Sequence, residues 1–291
     1  MLRKALIAVA GLLFAISASA DGRAAARNLF ANLDRAQASL SISGATAVVS
    51  PTLVKGIYSL SNQQGSFVGF TNEAGTLFGD SRGFTAVGRN GEQPRPLKPN
   101  EVHDLRAEVM EAIDYDKLPR IVYGDGGGRR LVLFSAVDCS FCKMFEDTMG
   151  KQSTGLNSTF YVIPASLQKI AHGGEKRWQV VSRIWCAKDA GAAWQSFWTT
   201  RAVPSESRQC RFNEPGAAEV AVQQLRDILQ AVSVRVTSTP QVIREDGTVI
   251  ANKPAMSPEY VVSTFGPIGT HHIHAKPALS WLAIVSEGGR N

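Results

Sequence analysis

Between residues 24 and 40, apolar side chains at Leu29, Phe30, Leu33 and Ala36 recur at helical spacing and predict a short amphipathic helix. The pattern then changes to short strand-like runs at Ala45–Val49, Val54–Leu60, Ser66–Phe70 and Thr76–Phe78. Thr71-Asn-Glu-Ala-Gly75 joins the last two as a hairpin turn. Together these predict a small α+β domain over residues 21–88. Its sheet is too small to bury both faces alone, so it either pairs with another copy or packs on its own helix.

Residues 89–118 read as a linker and a helix. Arg89 to Asn100 holds three prolines, and Val102, Leu105, Val109 and Ile113 then form a stripe at helical spacing from Glu101 to Leu118. That helix is either an arm between domains or the first helix of the second. From residue 119 to 266 strands and helices alternate. Strands at Arg120–Tyr123 and Leu131–Ala136 flank a glycine cluster, Gly124 to Gly128, and a helix and a strand at Thr159–Ile163 follow. Helices are expected over Gly174–Lys188, Ala190–Arg201 and Gly216–Val232, the last opened by Pro215. Strands from Thr239-Pro240 and at Thr248–Ile250 precede a closing helix to Phe265, with Ser257 as N-cap and Pro258 at its first position. This order predicts an α/β domain whose mixed sheet carries helices on both faces. The glycine cluster lacks a Gly-Lys-Ser/Thr ending and precedes a strand, so it reads as a hairpin turn and not as a phosphate loop.

The N-terminus bears on compartment. Arg3 and Lys4 precede an apolar stretch from Ala5 to Ile16, and Ala18-Ser19-Ala20 gives a small-x-small cleavage site. Residues 1–20 therefore read as a secretory signal peptide, and export permits persistent disulfides. Of 31 Lys and Arg against 25 Asp and Glu, the signal holds two, which leaves the mature chain mildly basic at +4. No Lys/Arg run of nucleic-acid type occurs.

The chemistry centres on Cys139-Ser-Phe-Cys142, delivered by an apolar strand to the start of a helix. Unpaired N–H groups and the positive helix end stabilise a thiolate on the first cysteine, and the second lies one turn on, placed to close or resolve a disulfide. Reactive cysteines so placed have a pKa lowered to roughly 3.5–7.5. A structural zinc site would need two further ligands at similar spacing, and Cys186 and Cys210 are isolated. A purely structural bridge across four residues would contribute little loop entropy. Four cysteines allow three pairings, and the short Cys139–Cys142 loop favours Cys186 with Cys210. Closing that 25-residue loop stabilises a fold by about 3–4 kcal/mol in the chain-entropy model.

This order, with Cys-x-x-Cys after a strand and Thr-Pro before a later one, resembles the thioredoxin fold and, more narrowly, the periplasmic disulfide isomerases of the DsbC/DsbG family. Ile184-Trp-Cys-Ala-Lys-Asp189 is similar to the segment that holds a structural cysteine there, and Cys210 sits where its partner would be. The resemblance covers roughly Asp21 to Phe265. It implies an α+β N-terminal dimerisation domain, then an α/β thioredoxin-like catalytic domain with a helical insertion, in a homodimer whose two catalytic domains face a shared cleft. It further implies Cys139 as nucleophile, Cys142 as resolving thiol, and Thr239 and Pro240 as supports, Pro240 being the cis-proline. Cys186–Cys210 is the implied structural disulfide. Implied partners are misoxidised or unfolded exported proteins and a membrane reductant of DsbD type, with no cofactor. From its residues alone, the Thr239–Pro240 bond is either cis or a trans proline at an edge-strand start.

Several features depart from the family. Asp138 precedes Cys139, where its charge opposes the thiolate if the two side chains are close, and Lys143 pulls the other way. Ser-Phe replaces the Gly-Tyr of the DsbC type, and that dipeptide tunes redox potential, about 30 mV corresponding to 1.4 kcal/mol. This leaves a thiol oxidase of opposite poise, or a chaperone or secretion-assembly factor, as alternatives to an isomerase. Residues 267–291 form a tail outside the pattern. Its His271, His272 and His274 read as solvated and not as metal ligands, and Leu279–Val285 as a segment that docks on the body. The sequon Asn157-Ser-Thr159 reads as a chance match.

Overall fold

The computed structural model describes residues 22–40, 43–44, 46–205, 208–250, 256–266 and 281–282; the segment expected to be a signal peptide and the three tail histidines lie outside these. The chain divides into two compact units. One is Met1–Ile113 with Asp227–Ser233 and Lys276–Asn291, the other Asp114–Arg226 with Val234–Ala275.

In the first unit, helix α1 (22–35) lies on an antiparallel meander of β1 (Val48–Pro51), β2 (Ile57–Ser61), β3 (Phe67–Asn72), β4 (Leu77–Asp80), β5 (Gly83–Ala86) and β6 (Arg95–Pro96). Ala26, Leu29 and Leu33 of α1 meet Leu60 and Val87 in one buried cluster. The Asn32 amide of α1 donates to the Gly75 carbonyl at 3.0 Å and fastens the β3–β4 turn. Gly75 has φ +63°, and a Cβ there would run into the α1 backbone at Asn28 and Leu29. The meander carries two strands that the pattern did not predict. Gly83–Ala86 is short, and Arg95–Pro96 falls inside the proline-rich stretch, where it pairs with β5 through Thr85 and Ala86.

Helix α2 (Pro99–Ala112) buries Leu105, Val109 and Met110. Glu101 closes its first turn by accepting the Lys98 N–H at 2.7 Å and pairing with Arg95. The helix stops earlier than the apolar stripe suggests, because Ile113 turns extended and bridges to Val54. Of the C-terminal tail, Trp281 and Leu282 dock on this unit. Their backbone N–H groups donate to the Glu108 carboxylate at 3.0 and 2.9 Å, and the Trp281 carbonyl accepts from Asn72.

The second unit is built on a five-stranded mixed sheet of β7 (Arg120–Tyr123), β8 (Arg129–Ala136), β9 (Ser158–Ala165), β10 (Gln241–Ile243) and β11 (Val249–Ile250), in the order β11-β10-β8-β9-β7. Only β8 and β9 are parallel among these pairs. Both strands are buried along nearly their whole length, as strands covered on both faces must be. The glycine cluster is therefore not a hairpin turn. It joins β7 to β8, but the more apolar β9 inserts between them and pairs with each.

Helices α3 (Ser140–Gln152), α4 (Glu175–Trp185), α5 (Ala190–Thr200), α6 (Pro215–Ala231) and α7 (Pro258–Phe265) complete the order. Behind α3, the rings of Phe145, Phe160 of β9 and Phe265 of α7 pack edge to face at 5.7–6.4 Å. This aromatic cluster fixes the helix that carries the cysteines.

Candidate active site

The cysteines sit where β8 runs out. The Val137 N–H still reaches the Ala165 carbonyl of β9 at 2.9 Å, and the chain then turns, the Cys139 N–H donating to Ala136 O at 3.1 Å. Cys139 takes an extended conformation and caps α3, its sulfur accepting the Cys142 N–H at 3.3 Å. A sulfur in that position lies at the positive end of the helix, where negative charge is stabilised.

Both cysteines are free thiols, and their environments differ. Cys139 keeps 6 % of its surface open, while Cys142 has none. Burial pushes the Cys142 thiol up to about 12, with its contact to Cys139 adding to the rise; the Ala136 N–H, Ser135 and Thr239 pull it down. The Ala136 N–H donates to Cys142 Sγ at 3.2 Å. Both cysteines are buried, and the less enclosed sulfur lies at the helix N-terminus with the fully buried one behind it.

Thr239 and Pro240 join the cysteines from the strand start before β10. Their peptide bond is cis, and the Thr239 carbonyl accepts from Cys139 Sγ at 3.3 Å. Exposed apolar side chains surround the motif. Phe141, inside it, and Leu167, on the loop after β9, are each 60 % exposed, and Met144 follows Phe141 by three residues on α3.

Cys186 and Cys210 form a disulfide with Cα atoms 5.7 Å apart. It ties the end of α4 to the segment that leads into α6, beside a Trp185–Phe212 stack at 4.1 Å. It forms no part of the Cys139 site.

Asp138 does not face the thiol as expected. Its carboxylate accepts the Leu167 N–H at 2.8 Å and the Ser166 hydroxyl at 2.9 Å, which turns its charge toward the loop. Lys143 pairs with Asp147 at 2.6 Å, one turn along α3. Neither charge is directed at Cys139.

Glu146 was missed by sequence reasoning. It accepts the Trp194 indole N–H at 2.9 Å, and burial pushes its carboxyl up to about 7, the Trp194 bond pulling down and Asp147 adding to the rise. Tyr123 is in turn pushed above the ordinary tyrosine range, chiefly by burial and then by Glu146. The available signal was spacing, since Glu146 follows Cys142 by four residues on the face that also buries Phe145 and Met149. Among the described residues, no three His, Cys, Asp or Glu side chains are grouped to hold a metal ion.

A family model described as a thioredoxin-like domain matches residues 99–264, more than half of the chain. The chain belongs to the thioredoxin-like domain family. A solved structure of a disulfide interchange protein from Neisseria gonorrhoeae is also similar, at 21 % identity, over 47 % of this chain and 86 % of that one, with a TM-score of 0.35. No curated protein matches. In a thioredoxin-like domain, a cysteine capping a helix N-terminus with a fully buried partner one turn later supports thiol–disulfide redox chemistry.

Proposed function

We propose that this thioredoxin-like protein is a periplasmic thiol:disulfide interchange protein that isomerises or reduces wrong disulfides in exported proteins. The observation that carries the reading is the asymmetry of the two thiols, with Cys139 capping the α3 N-terminus and keeping a small exposed fraction while Cys142 is fully enclosed behind it. The Cys139 thiolate attacks a substrate disulfide, forms a mixed disulfide and releases a substrate thiolate. Either a substrate thiol then displaces Cys139 and leaves a rearranged disulfide, or the Cys142 sulfur displaces the substrate and closes Cys139–Cys142. The second outcome reduces the substrate, and a membrane reductant of DsbD type restores the dithiol. Exposed Phe141, Met144 and Leu167 suit an unfolded, apolar substrate better than a small polar thiol.

The remaining elements of the reading are export through residues 1–20 and homodimerisation through the first unit. The direct test expresses Cys142→Ser in periplasm-forming cells and isolates its adducts. Mixed disulfides from Cys139 to exported proteins are the expected result. Their absence, with the variant folded and exported, would remove substrate exchange from Cys139.

A further inference from the structure

Two buried hydroxyls beside the cysteines have no hydrogen-bond partner. Ser135, on β8, is fully buried and its Oγ is unsatisfied, and so is the buried Oγ1 of Thr239. Leaving a buried hydroxyl unpaired is costly, and two such groups at one place need an explanation. Both sit against the Cys142 sulfur closely enough to lower its affinity for a proton. A third donor, the Ala136 N–H, already points at the same atom from 3.2 Å. Ser135 and Ala136 are neighbours on β8, and Thr239 lies at the strand start before β10, so the donors come from two adjacent strands.

From this geometry we infer that Ser135 and Thr239, with the Ala136 N–H, form a thiolate cradle for Cys142, in which the two free hydroxyls donate when negative charge reaches its sulfur. The inference rests on the reading of Cys139 and Cys142 as an exchanging pair. Charge reaches Cys142 in one step, traversed in either direction. A thiolate attacks Cys139 of the closed pair; its bond to Cys139 forms, the Cys139–Cys142 bond breaks, and the electron pair leaves on Cys142. In reverse, the Cys142 thiolate attacks Cys139 of the mixed disulfide and expels the substrate sulfur, which takes up a proton. An enclosed sulfur has no water to carry that charge, so preorganised donors replace it, as they do for oxyanions in other enzymes.

The test uses the purified protein with its Cys139–Cys142 disulfide closed and 2-mercaptoethanol as attacking thiol, opening being followed by quenched alkylation. Initial capture of a small aromatic disulfide by the reduced protein is timed in parallel. Ser135→Ala and Thr239→Val each remove one hydroxyl at little change in volume. Each is expected to lower the ratio of opening rate to capture rate by about tenfold or more. Thr239→Ser is expected to restore the ratio, since it keeps the hydroxyl. A ratio within twofold of the parent in both variants, or one that Thr239→Ser fails to recover, would overturn the cradle while leaving the exchange reading intact. If the opened parent protein carries mercaptoethanol on Cys142 instead of Cys139, the exchange reading itself fails, and the cradle with it.

Discussion

The Asp138 carboxylate accepts the Leu167 backbone N–H at 2.8 Å and so ties the residue before Cys139 to the most exposed apolar side chain of the neighbouring loop. The Ser166 hydroxyl adds a second bond to the same group, and Ser166 in turn accepts the Gln168 N–H. The charge next to Cys139 therefore shapes a surface. Asp138→Ala is expected to cost about 1–3 kcal/mol of stability through two lost charge-assisted bonds. It is also expected to raise KM for a misfolded protein substrate more than it slows reaction with a small disulfide. Equal effects on both substrates would show that the loop contributes nothing to substrate capture.

Glu146 makes stability depend on pH. Its folded pKa, about 7, lies above the ordinary glutamate value near 4.5. Between those values the folded state binds more protons than the unfolded one, so the contribution is complete below pH 4.5 and is lost as pH rises through 7. The loss is about 3 kcal/mol in order of magnitude. Glu146→Gln keeps an acceptor for Trp194 and removes the titration. Urea midpoints measured from pH 4.5 to 7.5 should fall less steeply in that variant than in the parent. Identical slopes would mean that Glu146 titrates normally.

The Cys186–Cys210 bridge acts on the unfolded chain. Replacing both cysteines by alanine is expected to lower stability by about 3 kcal/mol, with little effect on the rate of exchange at Cys139. Chemical denaturation and a single-turnover assay measure the two effects separately. A large loss of exchange in a folded variant would contradict a purely structural role.

The backbone N–H groups of Trp281 and Leu282 both donate to the Glu108 carboxylate. Glu108→Ala should speed hydrogen exchange of these two amides by tenfold or more, with smaller changes in β2 and β3. Exchange already at the free-peptide rate in the parent would place the two residues off the first unit in solution.

The strand–cap–helix setting of the Cys139–Cys142 motif was legible because it is local. A buried strand, a cysteine cap and a helix follow one another within the run from Leu131 to Gln152, and periodicity and spacing report such runs directly. Helix boundaries from α4 to α7 also lay close to the apolar pattern, since caps such as Asp189 and Ser257 are sequence features. What was not legible depends on partners far along the chain. Nothing near Gly124–Gly128 reveals that β9, some thirty residues later, inserts between the strands on either side. Asp138 next to Cys139 suggested repulsion of a thiolate, and its actual partners are 28 and 29 residues away. Glu146 meets its partner only because α5 brings the Trp194 indole to it, 48 residues along the chain. The vacant hydroxyls of Ser135 and Thr239 belong to the same class, because only the packed sheet brings the β8 and β10 ends together.

The most direct measurement is reactivation of scrambled, wrongly paired ribonuclease by catalytic amounts of the reduced mature protein, with Cys139→Ser as the control. Multiple-turnover recovery that disappears in Cys139→Ser is the expected result. No recovery by a folded protein with reduced cysteines, or recovery that persists in Cys139→Ser, would contradict isomerase chemistry at this site.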